Sequence, residues 1–236
     1  MEKDREDIFK YAAALDQSGK MKNTILCSER EVFIINFDRT ILLSFVLKKT
    51  SAEFKERIVF DVNDYESSNF YTKDGALIFE TAADGYIKKK KCGTNKQLDF
   101  ETISKLYYKL SRKKAASHFS LNKAILAFLQ DDLSHVEIHY DNGVKIIQRD
   151  IFSGTIIEIE KDRSGLFFET DNVEPFEPMG LRLSDLEALF IEDKELSFAF
   201  APGLNYFIVE AKTSGMKGIL SWCLFDELGS LGVVGG

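Results

Sequence analysis

The sequence has few prolines and cysteines and no long apolar run. Only three of its 236 residues are proline and three are cysteine. Cys27, Cys92 and Cys223 are odd in number and far apart, which indicates neither a disulfide framework nor a metal site, so we expect core or half-buried thiols. No stretch reaches the roughly 18 to 20 apolar residues of a spanning helix, and the N-terminal residues lack the apolar segment of a secretion signal. We therefore expect an intracellular protein, cytoplasmic or nuclear, that is not secreted and does not associate with membranes.

Basic residues are not in excess either. Lys and Arg number 31 against 38 Asp and Glu, a formal net charge of −7. This balance excludes a protein that is basic throughout, so any contact with an anionic polymer must be local. What is abundant is aromatic side chains, with 20 phenylalanines and eight tyrosines, which favour β-strands. The length lies between one large domain and two small ones.

The first half of the chain begins with an amphipathic helix at about residues 5–16, in which Ile8, Tyr11, Ala12 and Leu15 share a face. A meander of three strands, a further strand, a short helix and a hairpin are predicted after it. The meander is residues 23–28, 31–37 and 40–48, and the further strand is 57–62. The short helix is 64–70, and the hairpin is formed by 76–81 and 86–91. The last strand holds Lys88 to Lys91, which is typical of an edge strand guarded by lysines against unwanted pairing.

The same order of elements recurs in the second half. Ser120 predicts the cap of a helix whose apolar face is formed by Leu121, Ala124, Ile125, Phe128 and Leu129. Three strands, a further strand, a short helix opened by a capping box at Ser184, and three closing strands follow. The first three strands are residues 136–140, 144–149 and 154–160, and the further strand is 180–183. The short helix is 184–191, and the closing strands are 195–201, 206–211 and 217–224. The first helices and the short helices are each offset by roughly 115 to 120 residues, which is a domain-sized period.

This repeat resembles the sliding-clamp family of DNA polymerase processivity factors. The likeness lies in the order and spacing of elements over essentially the whole chain, and it is closest in residues 179–211, MGLRLSDLEALFIEDKELSFAFAPGLNYFIVEA. The resemblance implies an α+β fold of two repeated clamp-like domains of antiparallel sheet with a few short helices. The domains would be residues 1–98 and 117–236, joined by a connector at 99–116 that holds a basic helix.

The resemblance also implies a function without catalysis and without a cofactor. Such a protein forms a trimeric ring, of identical or different chains, whose basic channel binds duplex DNA non-specifically. Its outer surface tethers a DNA polymerase, a clamp loader or other DNA enzymes. The inner helices of such a ring present lysine and arginine to DNA, which points here to Lys10, Lys20, Lys22 and Lys123.

The connector carries the strongest local charge. In DFETISKLYYKLSRKK, which is residues 99–114, one helical face is apolar and another is basic. The apolar face is Phe100, Ile103, Leu106, Tyr107 and Leu110, and the basic stripe is Lys105, Lys109 and Arg112, extended by Lys113 and Lys114. Such a stripe can follow phosphates, so these five residues join the predicted DNA-binding set. The alternative is a solvated helix whose lysines keep it soluble, supported by a Glu101–Lys105 pair.

Two other classes of protein stay open. One is a non-enzymatic structural or assembly protein, for instance of a virus, in which the β-rich halves serve packing. The other is a metal-dependent β-sheet enzyme, since His135, Glu137 and His139 in HVEIH project from one face of a strand. Alternating polar residues are equally typical of the wet face of an antiparallel strand, and no GxGxxG, Walker, GxSxG or HExxH pattern occurs in the sequence. We therefore expect neither a metal nor catalytic residues.

Overall fold

The computed structural model describes the chain in a series of segments: residues 8, 11–12, 14–15, 23–28, 30–36, 38–47, 58–62, 69–73, 76–83, 86–92, 99–113, 115, 117–140, 143–150, 152–160, 167–169, 175–200 and 205–221. Residues 8, 11, 12 and 14 are helical, in agreement with the helix predicted at 5–16. The Leu15 N–H donates to the Tyr11 carbonyl at 3.0 Å. Within these segments, no helix is long and apolar enough to cross a membrane.

The first half of the chain forms two antiparallel groups of strands. In the first group, β1 is flanked by β2 and β4, and β3 pairs with the outer side of β2. In the second group, β6 lies between β5 and β7, so that among the described strands the lysine-rich β7 lies at the edge of its sheet, as predicted. These strands are β1 (Asn23–Cys27), β2 (Glu31–Ile35), β3 (Ile41–Val46), β4 (Ile58–Val62), β5 (Asn69–Lys73), β6 (Ala76–Ala83) and β7 (Tyr86–Cys92).

The second half repeats this arrangement. β9, β10 and β11 form a meander with β13 on the outer side of β9, which is the pairing that β1, β2, β3 and β4 show. β14, β15 and β16 form a closing meander, as β5, β6 and β7 do. The strands are β8 (Ser117–Asn122), β9 (His135–Tyr140), β10 (Val144–Arg149), β11 (Ile156–Glu160), β12 (Phe167–Glu169), β13 (Met179–Arg182), β14 (Glu195–Phe200), β15 (Tyr206–Ala211) and β16 (Lys217–Ser221).

The two halves share one sheet, because β16 pairs antiparallel with β3. Gly218 lies opposite Leu43 in this pairing, and a Cβ atom on Gly218 would meet Leu43 Cδ2 at 2.8 Å and Val209 Cγ1 at 3.0 Å. The Ser221 N–H continues the pairing by donating to the Thr40 carbonyl at 2.8 Å. The result is a nine-stranded sheet in the order β12-β8-β14-β15-β16-β3-β2-β1-β4.

The connector contains the helix that its pattern predicts. Helix α1 spans Phe100–Ser111, and the carboxylate of Asp99 caps it by accepting the Thr102 backbone N–H at 3.0 Å. The predicted Glu101–Lys105 pair forms at 3.1 Å. All five residues of the predicted apolar face are buried: Phe100, Ile103, Leu106, Tyr107 and Leu110.

The helix predicted after Ser120 is different in the structure. Ser120 lies inside β8, which is paired with β14 on one side and β12 on the other, so long-range pairing overrides the local helical pattern. The element that follows is a 3₁₀ helix, Lys123–Phe128. Its cap is Asn122, whose Oδ1 accepts the Ala124 N–H at 2.9 Å.

The two short helices were also only partly predicted. Helix α2 spans Leu183–Leu189, but its N-cap is Arg182 and no side chain caps it, so the capping box at Ser184 is wrong. The short helix predicted at 64–70 is wrong over its last two residues, because they begin β5 and pair with β6. The rest of that prediction lies outside the described residues. The pattern also gave no signal for β12.

The nine-stranded sheet carries an apolar core on each face, since successive side chains of a strand point to opposite sides. In β2, Val32 and Ile34 belong to the core that contains Tyr11 of the first helix. Phe33, between them, belongs to the core that contains α1. The first core also includes the 3₁₀ helix, α2 and the four-stranded sheet. Helix α1 and the first helix therefore lie on opposite faces of the nine-stranded sheet.

Phe33 tests the core beneath α1. Its fully buried ring lies 5.4 Å from the ring of Phe100 and 5.3 Å from that of Tyr107. Phe33→Ala should lower the free energy of unfolding by about 3 to 5 kcal/mol, as cavities left by large aromatic residues do. The matched control is Phe128→Ala, at a ring 56% exposed, which should change it by about 0.5 kcal/mol. Urea denaturation measures both, and equal losses would contradict the two-core arrangement.

Candidate nucleic-acid interface

Those of the predicted DNA-binding residues that the structure describes lie on two separate surfaces. Lys123 is exposed at the start of the 3₁₀ helix, which is anchored in the first core by Ile125. A second group of four is exposed along or just after α1, and we call it the α1 basic surface: Lys105, Lys109, Arg112 and Lys113. The other predicted residues lie outside the described part of the chain: Lys10, Lys20, Lys22 and Lys114.

The α1 basic surface is held in place by neighbouring rings. The Arg112 guanidinium lies 5.3 Å from the centre of the Tyr108 ring, and Lys113 Nζ lies 6.0 Å from that of Tyr206, both within range of cation–π attraction. A shallow depression of about 460 Å³ runs along the helix, lined by Ser104, Lys105, Tyr108, Lys109 and Arg112. The chemistry of this depression suits phosphate or carboxylate groups.

The sheet separates these two surfaces. The first helix and the 3₁₀ helix pack on the core on one face of the nine-stranded sheet, and α1 packs on the other face. A straight duplex that lies against one face therefore meets only one of the two basic groups. The sequence could not reveal this separation, because it follows from which face of β1 to β3 each helix covers.

A buried polar contact fixes the first helix to the second half of the chain. The Tyr11 hydroxyl donates to Asp193 Oδ2 at 2.9 Å, and both side chains are buried. Asp193 Oδ1 also accepts the backbone N–H groups of Thr213 at 2.9 Å and Ser214 at 3.2 Å. Burial, followed by the nearby charge of Asp193, raises the pKa of Tyr11, so its hydroxyl stays a donor at neutral pH.

Arg182 also joins the two halves. Its guanidinium binds Asp185 through two nitrogens, at 2.9 and 3.1 Å, and lies 3.0 Å from Asp38 in the turn between β2 and β3. Burial raises the pKa of Asp185, and the bidentate contact with Arg182 offsets part of that rise. Because Asp185 is buried against a guanidinium, helix α2 presents less negative charge to an anionic ligand than its sequence indicates.

Two of the HVEIH residues, Glu137 and His139, form a hydrogen-bonded cluster with Arg149. In β9, Glu137 Oε2 lies 2.6 Å from His139 Nε2 and 3.3 Å from Arg149 Nε. Partial burial opposes ionisation, but the hydrogen bonds from His139 and Arg149 prevail and lower the pKa of Glu137. His135 Nδ1 instead lies 3.2 Å from Ser134 Oγ. Among the described residues, no group of three His, Cys, Asp or Glu side chains is placed to hold a metal ion.

Cys27 confirms the expectation of a core thiol. It lies in β1 with 2% of its surface exposed, and burial raises its pKa, so the thiol is not reactive at neutral pH. The side chain of Cys92 and the whole of Cys223 lie outside the described part of the structure.

No protein-family model and no curated protein matches this sequence. The fold, by contrast, is that of DNA sliding clamps. The sliding clamp of Bartonella birtlesii, a DNA polymerase III subunit beta, is matched with a TM-score of 0.58 and 10% identity, over 92% of this chain and 63% of that one. The DNA polymerase III subunit beta from Borrelia burgdorferi is matched with a TM-score of 0.57 and 12% identity, over 92% of this chain and 60% of that one. The putative beta subunit from Eubacterium rectale is matched with a TM-score of 0.55 and 7% identity, over 92% of this chain and 63% of that one.

These comparisons confirm the predicted resemblance at the level of the fold. The fold class is the predicted one, an α+β arrangement of repeated clamp-like units of antiparallel sheet with a few short helices. This chain spans 60 to 63% of the length of the three clamps named above. The domain limits 1–98, 99–116 and 117–236 stay predictions.

The contact between Tyr11 and Asp193 gives a stability prediction. Tyr11→Phe should lower the free energy of unfolding by about 1.5 to 3 kcal/mol, because a buried carboxylate loses a hydrogen-bond donor. The control Tyr86→Phe removes the same hydroxyl from a side chain that is 80% exposed, and it should have little effect. Thermal or urea unfolding measures both variants. A Tyr11→Phe protein as stable as the parent would show that this contact does not hold the helix.

Proposed function

We propose that this protein is a DNA sliding clamp, a processivity factor of DNA replication and repair with no catalytic activity of its own. It binds duplex DNA non-specifically and tethers a DNA polymerase, a clamp loader or another DNA enzyme inside the cell, in the cytoplasm or nucleus. The observation that supports this most is the repeated antiparallel fold, which matches DNA polymerase III beta subunits over 92% of the chain.

The ring is central to this proposal. The chain holds two related units, so three chains, identical or different, would supply six units around a duplex. Enclosure of DNA needs no base contacts, since phosphates are the same at every step along the duplex. A clamp with few and weak phosphate contacts can slide, which agrees with a net charge of −7 and a small number of local lysines.

The face that carries the first helix supplies the DNA contacts in this proposal. Lys10 belongs to the helix predicted at 5–16, Lys20 and Lys22 follow it, and Lys123 opens the 3₁₀ helix that shares its core. In the ring that the resemblance to sliding clamps implies, these helices line the channel. The α1 basic surface lies on the opposite face of the sheet and is available to a tethered protein. In this proposal, Lys105, Lys109, Arg112 and Lys113 therefore lie away from the channel.

Two matched variants test this assignment, each lacking four positive charges. The first is Lys10→Ala/Lys20→Ala/Lys22→Ala/Lys123→Ala, and the second is Lys105→Ala/Lys109→Ala/Arg112→Ala/Lys113→Ala. Fluorescence anisotropy with a labelled duplex, titrated at several KCl concentrations, gives the slope of log K against log salt. The slope should fall by about 0.9 for each phosphate contact removed, and this should occur in the first variant only.

Other outcomes of this titration are equally informative. A loss confined to the second variant would assign DNA to α1 and overturn the choice of face. An unmutated protein with no salt-dependent affinity for duplex DNA would contradict the clamp proposal and favour the structural or assembly class. Far-UV circular dichroism of both variants controls for unfolding.

A further inference from the structure

The α1 basic surface differs in charge from the rest of the chain. Residues 99–114 hold five basic and two acidic side chains, a formal charge of +3, and since the whole chain carries −7, the other residues carry −10. The helix rises about 10 Å from Lys105 to Arg112, so the positive stripe is short. At 0.1 M salt, charges more than about 10 Å apart are largely screened from each other. The stripe therefore attracts a short anion, whereas a long one would also meet the acidic surroundings.

The aromatic rings beside this stripe are already engaged by protein groups. The Arg112 guanidinium lies over the ring of Tyr108, and the Tyr107 ring contacts the same tyrosine at 5.4 Å. Tyr206, below Lys113, is buried with 3% of its surface exposed. Proteins that bind single-stranded nucleic acid stack the bases on exposed aromatic rings beside a basic groove. The depression along α1 instead presents cations whose positions the rings fix, which favours carboxylates over nucleic-acid bases.

An exposed valine lies on the same face of the sheet as α1. Val46, at the end of β3, is 68% exposed. Leu42, in the same strand, packs beneath α1, and alternate residues of a strand share a face. Val46 pairs with Glu31 of β2, whose carboxylate accepts the hydroxyl of Tyr108 on α1. An apolar contact point therefore lies next to the row of cations.

We propose that the α1 basic surface binds an acidic segment of a partner protein, about four residues long when extended, with a neighbouring apolar residue of that segment on Val46. The carboxylates contact the four cations, and the Arg112 guanidinium can take one of them through two hydrogen bonds. The inference rests on the proposed function only in that the partner is a protein tethered to the clamp. Its acidic chemistry follows from the charges of this chain.

This contact is easily reversed. Ion pairs between exposed side chains are individually weak, and salt screens them. Glu101 already holds Lys105 at 3.1 Å, so an incoming carboxylate competes with it for that ammonium. The segment therefore binds through several small contributions that act together, and a partner held in this way can be released without unfolding of α1.

Fluorescence anisotropy with a labelled peptide tests the site. The probe is a peptide of four consecutive glutamates followed by one leucine. Replacing all four cations of the α1 basic surface with alanine should weaken its binding about tenfold or more, because several ion pairs are lost together. The matched control removes the same number of charges elsewhere and should bind like the unmutated chain: Lys10→Ala/Lys20→Ala/Lys22→Ala/Lys123→Ala. Raising KCl from about 0.05 M to about 0.5 M should weaken binding to the unmutated chain severalfold.

Two further variants separate the charge from the apolar contact. Lys105→Glu/Lys109→Glu should lose the acidic peptide and gain affinity for a peptide with lysines in place of the glutamates. Val46→Ala should weaken binding of the peptide that contains leucine and leave the peptide of glutamates alone unchanged. Far-UV circular dichroism of each variant controls for unfolding.

Three results would overturn the proposal. One is an unmutated chain that shows no salt-dependent binding of the acidic peptide, and another is binding that the four alanine substitutions on α1 leave unchanged. The third is a single-stranded oligonucleotide that binds more tightly than the peptide and depends on the same four cations, which would make α1 a nucleic-acid site. The duplex titration is a separate measurement. Its failure contradicts the clamp alone, and failure of the peptide to bind contradicts the acidic partner alone.

Discussion

The structure depends on the backbone pairing of β16 with β3. This pairing joins strands from the two halves of the chain into one nine-stranded sheet, and both apolar cores, with the first helix, α1, α2 and the four-stranded sheet, pack on the faces of that sheet. Gly218 allows a close fit at this pairing, because a Cβ atom there would require the side chains of Leu43 and Val209 to shift. Without the joint, α1 would lose Tyr206 and Ile219 from the surface on which it packs.

The alternation of side chains in that sheet determines which surfaces the protein can offer to a ligand. Val32 and Ile34 hold the first helix on one face, and Phe33 holds α1 on the other. Lys123 and the α1 basic surface, which look equivalent in the sequence, are therefore kept apart by the thickness of a sheet. Ligands that bind to opposite faces of this sheet would therefore not compete for the same side chains.

Features set by local periodicity could be predicted from the sequence. The five buried residues of α1 repeat at helical spacing, and Glu137 and His139 meet because alternate residues of a strand share a face. The prediction failed where a distant strand decides the conformation. Ser120 has the context of a helix cap, but β12 and β14 pair with its segment and draw it into β8. The contact between Tyr11 and Asp193 likewise has no local signal, since the two residues are 182 positions apart.

The order of helices and strands predicted the fold, whereas no sequence motif did, and there is a physical reason for this. Antiparallel pairing needs only backbone groups, an alternation of apolar residues and turns at suitable positions, so a fold can persist while identity falls to between 7 and 12%. Side chains at exposed edges are free of that constraint.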